Sequence, residues 1–173
     1  MKQGERGLTL IELAVTVAIV ALIAAGANMS IFQVLKGTER NNDHMTAVNQ
    51  VQKAGYWVSR DTQMAQSVDT INDPETPEDE FITLQWTNWE NGDVHKIVYT
   101  FHDMAGGLKK LKRQYVIHDA SGVETGNAIT LVAEYISSAS FSEQDSTWKL
   151  TVRAQPGTGT ETREYEVKPR VNM

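Results

Sequence analysis

The chain has 173 residues, room for one domain with a core of its own. Its net charge of −6, from 16 Lys and Arg against 22 Asp and Glu, gives no footing to general nucleic-acid binding. The absence of cysteine excludes a disulfide scaffold, an iron–sulfur cluster, a Cys-ligated zinc and a thiol nucleophile.

Hydrophobic residues make up 40% of the whole, but they are unevenly placed. Of the 20 positions from 8 to 27, 16 are hydrophobic and one, Glu12, is charged. No second apolar run approaches the length needed to cross a bilayer, which excludes a polytopic membrane protein. The sequence is a short apolar segment joined to a polar body.

The first residues allow three readings. Lys2 and Arg6 ahead of the apolar run suit a secretory signal peptide, with Ala25-Gly26-Ala27 as a small-x-small cleavage site. The same pattern suits an uncleaved single-span anchor with its N-terminus inside, since 20 helical residues span roughly 30 Å. Glu12 fits neither simply, because a carboxylate in an apolar helix costs on the order of a few kcal/mol and calls for a partner. Placement near the membrane surface, where water reaches it, would relieve that cost.

The third reading supplies a partner. Gly7-Leu8-Thr9-Leu10-Ile11-Glu12-Leu13 resembles the processing signal of type IV prepilins and pseudopilins. In that family a membrane peptidase cuts after the leader glycine and the new N-terminus is N-methylated. The resemblance implies cleavage between Gly7 and Leu8, with methylation of Leu8. It also implies a salt bridge from Glu12 to the α-amino group of a neighbouring subunit. Paired in that way, the charge becomes a register pin, costly alone and satisfied on assembly. Leu8 stands where the family mostly has Phe.

Beyond position 27 the pattern turns amphipathic. Ile31, Val34, Leu35, Met45, Val48, Val51 and Val58 recur at mainly three- and four-residue spacing, and no proline occurs before Pro74. Gly37 and Gly55 each weaken a helix by roughly 1 kcal/mol, and Asn41-Asn42-Asp43 is the weakest stretch. A helix continuous to Gln66 would be roughly 85–90 Å long, so half of it is expected to project from any compact body.

After Val68 the period becomes two. Strands are expected over 81–86, 94–101, 111–118, 128–136, 139–141 and 148–154, with a last edge strand over 164–171 stopped by Pro169. Turns fall at 88–93, 103–107 and 156–159. The expected organisation is a leader (1–7), a transmembrane or fibre-core helix (8–27), an amphipathic helix half (28–67) and an antiparallel β-sheet head (68–173). The fold class is α+β, pilin-like, with a long N-terminal helix packed on an antiparallel sheet.

The stretch 56–65, Gly106-Gly107-Leu108, and 138–142 followed by Trp148 are similar to the W-type minor pilin and the J-type minor pseudopilin. Many major pilins carry a C-terminal disulfide loop, which a cysteine-free chain cannot form.

Little in the head reads as catalytic. His44, His95, His102 and His118 show no HxxH or HExxH spacing, and no P-loop, G-x-S-x-G or G-x-G-x-x-G occurs, so no enzyme, metal or cofactor is expected. The acidic run 73–80 reads as a solvated loop or, less in keeping with its spacing, a calcium site. Trp86 and Trp89 offer either an interface patch or core placement. Lys109, Lys110, Lys112 and Arg113 form a basic cluster, with Lys110 and Lys112 on the face opposite Leu111, Tyr115 and Ile117. That cluster reads as a solvated strand face, or as a contact for DNA phosphate or anionic lipid.

The resemblance therefore implies a structural minor subunit of a type IV pilus or type II secretion pseudopilus, acting at fibre initiation or tip. Its partners would be prepilin peptidase, other pilin or pseudopilin subunits, the inner-membrane assembly platform and the cytoplasmic membrane, with the head periplasmic or extracellular. The alternative is a membrane-anchored or secreted ligand-binding module that never polymerises.

Overall fold

A computed structural model describes residues 9–70 and 79–169. Lys2, Arg6, Gly7, Leu8, the acidic run over 73–78 and the last residues of the expected edge strand lie outside them. The contacts divide the chain into two units, Met1–Asn41 and Asn42–Met173.

The first unit is helical from Leu10, the start of α1 (Leu10–Met64). Every described residue in it is exposed, including Leu10 at 86% and Leu22 at 74%. Thr16 and Ser30 donate their hydroxyls to the carbonyls of Glu12 (2.9 Å) and Gly26 (3.0 Å). Such back-bonding keeps a hydroxyl satisfied where water is scarce. This helix is long and apolar enough to cross a membrane by length and composition.

Among the described residues the second unit holds residues 42–64 of α1 and a seven-stranded sheet. Its strands are β1 (Ser67–Asp69), β2 (Asp79–Thr87), β3 (Val94–Asp103), β4 (Lys109–His118), β5 (Glu124–Gln144), β6 (Thr147–Ala154) and β7 (Glu161–Val167). They pair in sequence order, each antiparallel to the next. From β2 onward the strands are joined by short turns, four of them containing glycine and the β5–β6 turn made by Asp145 and Ser146 at positive φ. The α+β, pilin-like arrangement of one long N-terminal helix packed on an antiparallel sheet is what the pattern of elements predicts.

Packing follows helical spacing. Ala47, Val51, Ala54 and Val58 are fully buried at steps of four, three and four, against Ile82, Leu84, Ile97, Leu111, Leu150 and Val152. Gly55 lies directly beneath the Tyr165 ring, in space a Cβ would occupy. There the helix exchanges propensity for close approach, and the Tyr165 hydroxyl donates to the Val51 carbonyl at 3.1 Å.

The stretch 41–43 is helical, with Asp43 tied down from outside the helix. Its Oδ2 accepts the Thr158 N–H at 2.8 Å and the Thr158 hydroxyl at 3.1 Å, clasping the β6–β7 turn. Three strand expectations change. β1 was not foreseen; three residues carry too little alternation to be seen. The runs at 128–136 and 139–141 form one strand, β5, which pairs with β4 in its first part and with β6 in its second. Tyr135, at φ 59°, and a register shift at 136–138 mark the changeover, which is why the sequence reads as two runs. β7 starts and stops earlier than expected, at Glu161 and Val167, two residues short of Pro169.

Candidate functional site

Thr9 is the N-cap of α1. Its N–H donates to Glu12 Oε2 at 3.0 Å and its hydroxyl to the same oxygen at 2.8 Å, while the Glu12 N–H points back at Thr9 Oγ1 at 3.4 Å. This reciprocal pattern is a capping box, the usual job of a glutamate three residues after a Ser or Thr cap. A carboxylate in the first turn also faces the positive end of the helix dipole. Glu12 thus has hydrogen-bond partners within its own chain. The Thr9-x-x-Glu12 spacing carries that signal.

With that geometry goes one match. Residues 2–28 fit the family model described as the prokaryotic N-terminal methylation motif. The match supports a prepilin-like chain, processed at its N-terminus. No curated protein and no solved structure matches. The apolar helix and the motif together suit a membrane-anchored, structural protein of the pilin type, whose processing falls to prepilin peptidase and whose partners are other pilin subunits.

In the head of this prepilin-like chain, the basic cluster does not form one surface. Strand alternation puts Lys110 and Lys112 on the outer face, where Lys110 pairs with Glu134 at 3.5 Å. Lys109 turns to the helix side, its Nζ 5.8 Å from the centre of the Phe101 ring. Arg113 is no surface residue at all, with 6% exposure. Its Nε donates to Asp61 Oδ2 at 2.6 Å, because its odd register directs it under α1, beside Leu111.

Asp61 is the residue that sequence reasoning missed. It is fully buried, three positions after Val58 on the apolar stripe. Tyr99 donates its hydroxyl to Oδ2 at 2.6 Å, and Arg60 reaches Oδ1 through Nε (3.3 Å) and a terminal nitrogen (3.2 Å). Burial first, and then the adjacent carboxylate, push the Tyr99 phenol far above its ordinary range, so it remains a donor. Both guanidiniums also face Trp57, at 4.3 Å for Arg60 and 5.1 Å for Arg113. An aspartate at a position in phase with buried valines, opposite a strand rich in arginine and lysine, is the signal that would have found this clasp.

Trp86, His95 and Tyr115 form a half-buried array of near-parallel rings, with His95 Nδ1 and the Tyr115 hydroxyl 2.6 Å apart. Trp89 is 83% exposed on the β2–β3 turn. His44, His102 and His118 join no ligand set; among the described residues no three His, Asp or Glu side chains are placed to hold a metal ion.

Proposed function

We propose that the chain is a minor subunit of a type IV pilus or type II secretion pseudopilus, acting at fibre initiation or at the tip. Prepilin peptidase cuts between Gly7 and Leu8, Leu8 is methylated, and the mature chain stays in the cytoplasmic membrane with its head outside. Assembly then moves the apolar helix from lipid into a bundle of sister helices. The observation that carries this reading is the coincidence of the methylation motif over 2–28 with a wholly exposed apolar helix half. A surface of that kind needs either lipid or other helices around it.

Glu12 has a specific part in this sequence of events. In the separate subunit its carboxylate is held by the Thr9 cap; in the fibre it accepts the charged amino terminus of a neighbour. The cap keeps the carboxylate oriented before its partner arrives. Glu12→Ala tests the reading: the variant is processed to normal size but enters fibres poorly. Wild-type incorporation of that variant removes Glu12 as a register pin.

A further inference from the structure

One edge of the sheet is open beside a groove that neither the motif nor the core requires. β7 pairs only with β6 among the described residues, over seven residues without a bulge or a proline. A regular edge of this length offers unpaired backbone groups to another chain, and its charged side chains, Glu161, Arg163, Glu164 and Glu166, restrict which chain can pair there. Next to it, a cavity of about 430 Å³ opens between β7 and the flank of α1, lined among others by Tyr56, Arg60, Gln63, Arg163 and Tyr165.

Among the described residues the lining carries two guanidiniums and two phenols and no aspartate or glutamate of its own, the carboxylates of Glu161 and Asp61 lying just behind the two arginines. Tyrosine and arginine are the residue types that most often dominate binding energy at interfaces. Both arginines are already engaged, but not fully. Arg163 uses Nε for Glu161 at 3.0 Å and also bonds to Tyr165, and Arg60 uses Nε and one terminal nitrogen for Asp61 and also bonds to Tyr56. A guanidinium has five donors, so each has donors beyond those bonds. Their side chains are about two-fifths exposed, at 41% for Arg60 and 38% for Arg163.

We infer that this groove receives an extended segment of a partner protein, added to β7 as an eighth strand, with carboxylate side chains on the face turned to Arg60 and Arg163. Backbone pairing along β7 supplies affinity, and the guanidiniums select for acidic side chains. A second copy of this chain pairing β7 to β7 is a poor occupant, since Glu164 and Glu166 of the two strands would face like charges. The inference concerns the head alone and stands apart from polymerisation through α1.

Two fluorescein-labelled octapeptides test it against the full-length protein in detergent, one alternating Val with Glu and the other Val with Lys. The Glu peptide binds at least about tenfold more tightly than the Lys peptide, and its binding slows amide exchange over residues 161–167. Arg163→Glu reverses the preference, and Arg163→Gln abolishes it while leaving the far-ultraviolet dichroism unchanged. Equal binding of the two peptides, protection confined to other strands, or no binding of either overturns the inference.

Discussion

Asp61 on the helix and Arg113 on the sheet, 52 positions apart, meet at 2.6 Å with both charges out of reach of water. An ion pair this buried has little net worth against a well-packed apolar pair, but breaking it strands a charge. Tyr99 and Arg60 supply the remaining hydrogen bonds that make the arrangement tolerable. Its consequence is geometric: the helix is locked to β3 and β4 at one rotation and one height.

Removing the carboxylate is therefore worse than its modest net contribution suggests. Asp61→Ala leaves Arg113 buried and unpaired and is expected to destabilise the head by about 3–5 kcal/mol. Asp61→Asn keeps an acceptor and costs less. Urea unfolding of the full-length protein in detergent, followed by tryptophan fluorescence, measures both.

Tyr99 predicts how stability changes with alkali. Burial and then the Asp61 carboxylate raise its folded pKa above the unfolded value of 10.0. The folded state thus holds a proton that the unfolded state loses, and this contribution is complete below about pH 10 and declines above it. Tyr99→Phe removes that decline, and costs about 1.5–3 kcal/mol at neutral pH through the lost bond to a charged acceptor. Urea midpoints measured from neutral pH into the alkaline range test this: the wild type falls more steeply than the variant.

Gly55 and Tyr165 make a pair whose sign can be reversed. In the native background Gly55→Ala drives a methyl into the Tyr165 ring and is expected to destabilise by about 1–3 kcal/mol. With Tyr165→Ala in place the same substitution gains about 1 kcal/mol of helix propensity. A double-mutant cycle in thermal unfolding reads the coupling directly. Additive effects would mean that the two residues do not touch.

How far the sequence carries depends on how local the signal is. The long helix was legible because its apolar spacing persists and no proline interrupts it, and the hairpins because two-residue alternation is broken by Gly-rich turns. β5 reads as two strands in the sequence because a strand that changes partners interrupts its own alternation at Tyr135 and Ser137. The Asp61–Arg113 clasp was out of reach for a different reason. Its two halves look polar and solvated when read separately, and only the register that sets Arg113 opposite Tyr99 reveals that they share a site. Glu12 was legible as an anomaly, and the Thr9 cap explains how the separate chain bears it.

The proposed cut between Gly7 and Leu8 makes processing depend on Gly7. Gly7→Val, which places a branched side chain where the leader ends, is expected to leave the protein at precursor length in membranes that contain the peptidase. Immunoblotting after gel separation resolves the two sizes. Mature-sized product from this variant would place the cleavage elsewhere.

The most direct measurement is the intact mass and N-terminal sequence of the protein isolated from the membranes of its own host. The prepilin reading requires a chain beginning at Leu8 and carrying one extra methyl group on its amino terminus. A chain still beginning at Met1, or one beginning at Asn28, would contradict it.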